Sequence, residues 1–316
     1  MKRVVLGRTG LEIAPLVYGT LPLGPLQANL SPEEGGRLLR HGLERGITLL
    51  DTAELYGTYA HVREGISGFA GPVQIATKTH APTPELARTH VEAALRELGV
   101  ERLDIVHLHG ARLDDPFAQR GAVLDELFRL REEGKVGYVG LSSHFVSAIR
   151  RAAEHPELDV VHPLINRKGM GILDGTAEEM AEAIRRAAEA GKGVYAMKAL
   201  AGGNFVSEAR ESLEWVAGRP GVHGVAVGML SEEEIDANLA LLGEGRAEPS
   251  RWKRLQARRR RLKIMTQFCK GCGACVDACT NDALRVEDEV ALVDEEKCIL
   301  CGYCAAACPE FIIRVV

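Results

Sequence analysis

The sequence predicts an α/β protein, a (β/α)8 TIM barrel followed by a small C-terminal α+β domain. Apolar, strand-like runs alternate with amphipathic helices eight times between residues 1 and 243, as in parallel strands joined by crossover helices. All eight cysteines then lie between residues 269 and 308, in two runs with the same spacing. A length of 316 residues suits one large barrel plus a small module.

The barrel is predicted to begin after a hairpin that turns at Gly7-Arg8-Thr9-Gly10. Ser31 is a predicted N-cap with Pro32 at the first helical position, and Gly99 ends the third helix. The predicted strands are 14–20, 47–51, 73–78, 103–109, 136–141, 160–165, 193–200 and 222–227. The predicted helices are 31–45, 60–69, 84–98, 118–133, 146–154, 176–190, 207–217 and 232–242. A doubly wound sheet is the alternative, but no Gly-x-Gly-x-x-Gly opens a helix after the first strand.

The chain divides into a barrel at 1–243, a linker with a basic helix at 244–264, and a cysteine-rich domain at 265–316. The basic helix is predicted from Arg251 to Lys263, within a chain whose net charge is −5. Such a run can bind nucleic acid. Because no aromatic-rich or base-reading motif accompanies it, we expect it instead to dock against the acidic tail or the tail's carrier.

The residues from Met1 to Leu6 contain no apolar core of a signal peptide, and no stretch approaches the length of a membrane span. We therefore expect a soluble cytoplasmic protein with no membrane partner.

The cysteines follow the pattern C-x2-C-x2-C-x3-C twice. Thiolates at this spacing are typical of iron-sulfur clusters, and in the bacterial two-cluster arrangement the fourth cysteine of each run ligates the other run's cluster. We therefore assign a first set, Cys269, Cys272, Cys275 and Cys308, and a second set, Cys298, Cys301, Cys304 and Cys279. Zinc sites and disulfides are the alternatives. The segment resembles a bacterial ferredoxin with two [4Fe-4S] clusters, which implies a redox protein in a reducing compartment.

Four polar side chains lie at or just after the ends of barrel strands, where the chemistry of such barrels takes place. They are Asp51, Tyr56, Lys78 and His109. A free phenol has a pKa of about 10, and a neighbouring ammonium lowers this pKa. We therefore expect Tyr56 to be the general acid, Lys78 to tune it, Asp51 to hold Lys78, and His109 to orient a substrate carbonyl. His107 is expected to be a buried, hydrogen-bonded core residue.

The segment from Asp51 to Gly57, the Thr77-Lys78 pair and the strand from Leu103 to His109 resemble the catalytic motifs of the aldo-keto reductases. The resemblance extends over about residues 1–243, including the opening hairpin. It implies NADPH-dependent reduction of small aldehydes or ketones, or oxidation of the matching alcohols, without flavin or metal in the barrel.

The same resemblance implies nicotinamide-cofactor contacts at Ser142, Ser143, His162, Met197 and Asn238. Lys198 adds a cation near the predicted mouth of the barrel, where it could bind an anionic substrate or a pyrophosphate. The family's basic residues for the 2′-phosphate map to Gly228 and Glu234, and a carboxylate there repels phosphate. NADPH, NADH or no nicotinamide therefore all stay open.

Three functions are compatible with the sequence. The leading hypothesis is an oxidoreductase of aldo-keto reductase type whose clusters exchange electrons with a ferredoxin- or flavodoxin-type carrier. In the second, the clusters feed the barrel without nicotinamide. In the third, the barrel is only a scaffold for electron transfer or docking, against which the four strand-end residues argue.

Overall fold

The structure is a computed structural model that describes residues 2–111 and 113–316. Met1 and Arg112 lie outside the described residues. The barrel part begins with a short antiparallel hairpin of β1 (Val4–Val5) and β2 (Glu12–Ile13). The predicted turn at residues 7–10 joins these two strands.

Eight parallel strands then close a barrel, in which β10 pairs with both β9 and β3. The barrel strands are β3 (Leu16–Gly19), β4 (Leu49–Asp51), β5 (Gln74–Thr79), β6 (Leu103–His109), β7 (Val136–Ser143), β8 (Val160–Pro163), β9 (Gly193–Ala196) and β10 (Gly224–Gly228). The order confirms the predicted barrel and excludes the doubly wound sheet.

Eight helices surround these strands. They are α1 (Pro32–Glu44), α2 (Tyr59–Ile66), α3 (Pro84–Leu98), α4 (Pro116–Glu132), α5 (Val146–Glu154), α6 (Ala177–Glu189), α7 (Ala209–Ala217) and α8 (Glu232–Glu244). Ser31 caps α1 reciprocally with Glu34, and Gly99 ends α3 in the left-handed conformation at φ 72°. Sequence signals at helix ends therefore located most boundaries.

The core has two layers. Apolar side chains between strands and helices form the larger layer. A smaller cluster fills the amino-terminal end of the barrel, where Leu6 and Ile13 of the hairpin region are fully buried against Val17 and Leu49. The hairpin therefore closes the amino-terminal end of the barrel. The carboxyl end of the strands stays open for a ligand-binding site.

The prediction of one basic helix from Arg251 to Lys263 was wrong. The helix α9 spans Pro249–Gln256, and the chain becomes a strand again at β11 (Leu262–Ile264). Trp252 and Leu255 are buried, whereas the arginine run after them brings no apolar side chain to continue that face. The expected docking on the acidic tail was also wrong, because Arg254 and Arg258 pair with glutamates of α8. The alternative, docking on the tail's carrier, stays a prediction.

The small domain combines two short antiparallel sheets with two short helices. Strand β11 pairs with β14 (Ile313–Val315), and β12 (Leu284–Glu287) pairs with β13 (Val290–Val293). The helices are α10 (Ala274–Asp277) and α11 (Tyr303–Ala307). Its core packs apolar residues around buried cysteines. Among the helices of residues 2–111 and 113–316, none has the length and apolarity needed to cross a membrane.

Candidate active site

A buried ion pair lies at the carboxyl end of the barrel strands. Lys78 Nζ donates to Asp51 Oδ1 at 2.6 Å and to the carbonyl of Thr52 at 2.7 Å. Both side chains are almost fully buried. Burial lowers the pKa of Lys78, and the Asp51 carboxylate opposes that shift. The pair joins the ends of β4 and β5, as expected from the sequence.

Tyr56 follows Asp51 in a short 3-10 turn that brings its ring above Lys78. The Lys78 ammonium lies 5.0 Å from the centre of this ring, and the His109 ring meets it edge-on at 6.2 Å. Burial raises the pKa of Tyr56 well above its ordinary value, and Tyr303 and Asp51 raise it further. The expected lowering by Lys78 does not prevail, because desolvation of a phenolate outweighs it. Tyr56 is therefore a protonated phenol at neutral pH.

His109 is neutral in this site. Burial, followed by the Lys78 charge, lowers the pKa of His109 well below its ordinary value. The site thus joins an uncharged imidazole and an uncharged phenol above a buried ammonium. The His109 imidazole and the Tyr56 phenol can both donate hydrogen bonds to one oxygen atom of a ligand.

A second layer beneath Asp51 was not anticipated. The Tyr195 hydroxyl donates to Asp51 Oδ2 at 2.8 Å, and His107 Nε2 lies 2.6 Å from the same hydroxyl. Since the hydroxyl donates to Asp51, it accepts from His107, and both Asp51 oxygens are occupied. His107 is a fully buried, hydrogen-bonded core residue, as expected. The role of Tyr195 lacks a sequence signal, because a tyrosine in β9 reads as ordinary packing.

A cleft of about 1190 Å³, counting its open end, runs from this site along the ends of β8, β9 and β10. Five of the nine predicted catalytic or cofactor-binding residues line it, namely Asp51, Tyr56, His162, Met197 and Asn238. Ser142 and Ser143 are buried, and their hydroxyls bond the Leu108 carbonyl and the Phe145 amide instead. The structure therefore brings only part of the predicted cofactor set to the cleft.

Two of the cleft residues have polar atoms that matter for a ligand. Asn238 is 6% exposed, and its Oδ1 has no hydrogen-bond partner among the described residues. His162 directs Nδ1 to the Tyr195 carbonyl at 2.6 Å, so its Nε2 remains toward Asp51 at 3.8 Å. A buried acceptor without a partner is costly. The orphaned Asn238 oxygen therefore fits a ligand that brings a donor, such as an adenine amino group.

The cysteines surround two small apolar cavities. One, of about 330 Å³, is lined by Cys269, Cys272, Cys275 and Cys308, and the other, also about 330 Å³, by Cys279, Cys298, Cys301 and Cys304. These are the first and second sets assigned from the spacing. Backbone amides already reach two sulfurs, since Ala291 N–H donates to Cys269 Sγ and Ala283 N–H to Cys279 Sγ. Four thiols around one cavity with amide donors fit a [4Fe-4S] cluster.

The second set lies against the barrel mouth. The Asn204 side chain donates to the Cys298 carbonyl at 2.7 Å, and Gln27 donates to the Leu300 carbonyl at 3.1 Å. Tyr303 packs against Tyr56 and shares a hydrogen bond with it. Cys301 is near enough to Tyr56 to raise the pKa of this phenol. The small domain therefore covers the predicted catalytic residues.

Close backbone approach makes this docking possible. A Cβ atom added at Gly202 would lie 1.8 Å from the Ile299 carbonyl oxygen, and one at Gly302 would lie 2.1 Å from the Leu26 carbonyl oxygen. Any side chain at these two glycines would separate the domains. Neither Gln27 nor Tyr303 was identified from the sequence, because their contacts join segments that are distant in sequence.

The sequence model of the Aldo/keto reductase family matches residues 15–212, which is more than half of the chain. The chain belongs to the aldo/keto reductase family. A 4Fe-4S dicluster domain model matches residues 268–312. The chain therefore joins a barrel of the aldo/keto reductase family to a C-terminal 4Fe-4S domain.

Named relatives agree with this membership. The chain is 34% identical over 172 residues to “Probable aldo-keto reductase 1” of Glycine max, an alignment that covers 48% of each chain, so it spans about half of that relative. A solved structure, the “Putative aldo-keto reductase” of Pseudomonas aeruginosa, has a TM-score of 0.66 and 28% identity, over 77% of this chain and 94% of that chain. An aldo-keto reductase of Bacillus halodurans has a TM-score of 0.63 at 22% identity, covering 81% of this chain and 95% of its own, which supports the fold alone.

Proposed function

We propose that this aldo-keto reductase interconverts a small carbonyl compound and its alcohol with a nicotinamide cofactor held in the cleft. We further propose that the two cysteine sets hold two [4Fe-4S] clusters, which exchange electrons with an external ferredoxin- or flavodoxin-type carrier. The observation that carries the proposal is the buried Asp51–Lys78 pair beneath Tyr56, at the inner end of a cleft that contains the orphaned Asn238 oxygen.

The roles of the chain's own residues follow from that arrangement. Tyr56, a neutral phenol, donates its proton to the substrate oxygen as negative charge develops there. The Lys78 ammonium beneath the ring stabilises the phenolate that results, and Asp51 keeps the ammonium charged and in place. His109 donates a hydrogen bond to the same oxygen and so orients the carbonyl. A nicotinamide bound at His162 and Met197 would supply or accept the hydride.

The test is an anaerobic assay of a panel of aldehydes and ketones with NADPH and with NADH. Tyr56→Phe removes only the hydroxyl, and we expect the rate to fall by about 10²- to 10⁴-fold. Tyr138→Phe is the matched control, because its hydroxyl bonds the Thr9 carbonyl at the closed end of the barrel. Unchanged turnover in Tyr56→Phe would reject the proposed acid. Tyrosine-dependent turnover of one carbonyl would exclude the scaffold hypothesis.

One observation favours a second candidate, a reductase fed by the clusters without nicotinamide. Tyr303 shares a hydrogen bond with Tyr56, and Cys301 lies near enough to Tyr56 and Lys198 to act on the pKa of both. Reduction of a carbonyl to an alcohol takes two electrons and two protons. Here a reduced one-electron carrier supplies both electrons in turn, Tyr56 supplies one proton, and water supplies the other. This candidate predicts turnover with reduced ferredoxin and none with NADPH or NADH.

A further inference from the structure

The segment that links the two domains forms one wall of the nucleotide cleft. We call residues 252–260 the strap. Trp252 and Leu255, from α9, are buried and line the cleft, and Arg258 and Arg260 line it beyond the end of the helix. The strap therefore brings two cations to the cleft, whereas the predicted phosphate positions of the barrel, Gly228 at the end of β10 and Glu234 in α8, carry none.

The carboxylate of Glu234 is already occupied. Its Oε2 accepts from the Leu230 backbone N–H at 2.7 Å, and its Oε1 pairs with the Arg258 guanidinium. The other acid in the cleft, Asp51, is paired with Lys78. The repulsion of phosphate expected from Glu234 is thus compensated by Arg258, which lies on the exposed side of the same carboxylate.

Arg260 is a partly buried cation that lacks an anion. Its guanidinium bonds the Gln27 side chain at 3.0 Å, and no carboxylate of the described residues forms an ion pair with it. Burial lowers the pKa of Arg260, and Glu234 acts on it only from a longer distance. An arginine withdrawn from water without a counter-charge is destabilising unless a ligand supplies one. Arginine's planar fork suits phosphate oxygens in particular.

The two arginines lie at different points along the cleft. The stem of Arg260 rests on Gly203, where a Cβ atom would be 2.8 Å from Arg260 Cδ, between the β9 and β3 loops. Arg258 lies at Glu234, one helical turn before Asn238 on the same face of α8. A dinucleotide with its nicotinamide at Met197 and its adenine at Asn238 would pass its pyrophosphate by Arg260 and its adenosine ribose by Arg258.

We propose that the strap is the phosphate-binding element of this cleft, with Arg260 binding the pyrophosphate and Arg258 binding the 2′-phosphate of NADPH. On binding, the Arg258 guanidinium turns from the Glu234 carboxylate toward the 2′-phosphate. This inference rests on the proposed use of a nicotinamide cofactor, and it makes NADPH rather than NADH the preferred cofactor.

Calorimetric titration of the iron-loaded full chain with NADP⁺ and NAD⁺ tests this, because the oxidised forms let binding be measured without electron transfer. Quenching of tryptophan emission gives a second readout, since Trp252 lines the cleft. Arg258→Ala should weaken NADP⁺ binding by about tenfold or more and leave NAD⁺ binding unchanged. Arg260→Ala should weaken both. Arg259→Ala is the matched control, an exposed neighbour that does not line the cleft, and should change neither.

The outcomes separate the two proposals. If the unaltered chain binds neither nucleotide, the proposed nicotinamide cofactor fails and this inference fails with it. If the chain binds them but Arg258→Ala keeps the same ratio of NADP⁺ to NAD⁺ affinity, only the role of Arg258 as a phosphate ligand is overturned. If Arg260→Ala binds both as tightly as Arg259→Ala does, the strap is not the pyrophosphate site. Iron content and circular dichroism of each variant check that it has folded.

Discussion

At the scale of single residues, the four strand-end side chains could be predicted because their order along the chain is fixed by the barrel. Asp51, Lys78 and His109 lie at the carboxyl ends of strands and Tyr56 follows one, and parallel strands bring such positions to one rim. The contact of the Tyr195 hydroxyl with Asp51 could not be predicted, because it joins β9 to β4 across the interior of the barrel. The shift of the Tyr56 pKa was predicted in the wrong direction, because the burial of this phenol is not evident from the sequence.

Breaking the Asp51–Lys78 pair should destabilise the fold. Lys78→Met leaves the Asp51 carboxylate buried with only the Tyr195 hydroxyl, and we expect the free energy of unfolding to fall by about 3–5 kcal/mol. The double variant Asp51→Asn with Lys78→Met should lose less, because it leaves no buried charge unpaired. Thermal and denaturant unfolding compare the two. Equal losses in the single and double variants would contradict this account.

Tyr303 should set the alkaline limit of carbonyl reduction. Tyr303 raises the pKa of Tyr56, in part through its hydrogen bond, although less than burial does. Tyr303→Phe keeps the ring packing and removes the hydroxyl, so the pKa of Tyr56 should fall. Tyr56 then loses its proton at a lower pH, so the falling limb of the plot of kcat/KM against pH should shift to lower pH. Tyr138→Phe should leave the limb in place, and a limb that stays fixed in Tyr303→Phe would refute the contact's role.

At the scale of elements, periodicity and end signals located all eight barrel strands and their helices, with small differences at the ends. The seventh strand was predicted to reach residue 200, yet β9 stops at Ala196 and Lys198 has a left-handed backbone with φ 61°. The helix predicted at 118 begins at Pro116, because Asp115 caps it. The helix predicted to continue after Gln256 was wrong. Arginine has a high helix propensity, but a helix in a protein also needs an apolar face to pack, and the run of arginines has none.

The loop after β9 should hold the small domain in place through Gly202. Gly202→Ala adds a Cβ atom 1.8 Å from the Ile299 carbonyl oxygen, at a φ of 71°. We expect faster amide hydrogen exchange across residues 298–303 and a lower Tyr56 pKa in the pH profile. Gly134→Ala is the matched control, with a φ of 78° and open space around it. It should cost only the backbone strain of about 1–2 kcal/mol, without loosening residues 298–303. Equal exchange in both variants would argue against the docking.

At the scale of the whole molecule, the small domain depends on iron more than the barrel does. Its core is small and is built around the cysteines themselves, whereas the barrel has a separate and much larger apolar core. Chelation of iron under anaerobic conditions should therefore unfold α10 and α11 and leave the barrel helices intact. Hydrogen exchange of both parts measures this. Retained protection of α10 and α11 without iron would contradict it.

The domain boundaries at 243 and 264 stay predictions. The pairing of β11 with β14 joins residues 262–264 to the sheet of the small domain, and α9 packs on the barrel. Limited proteolysis between residues 257 and 261 would locate the boundary directly. How the two parts meet could not be predicted, because the contacts of Gln27, Gly202 and Tyr303 join segments that are distant in sequence.

The position of the second set against the barrel has a consequence for oxidative damage. Cys272 of the first set is exposed, whereas the segment that carries Cys298 and Cys301 is covered by the barrel loops. In the proposed arrangement of two clusters, oxygen and peroxide therefore reach the first set before the second. Oxidative stress would then remove iron from the first set and interrupt the proposed exchange with a carrier, while the second set stayed covered. Partial damage would thus separate the proposed reductase from its proposed electron carrier before inactivating it.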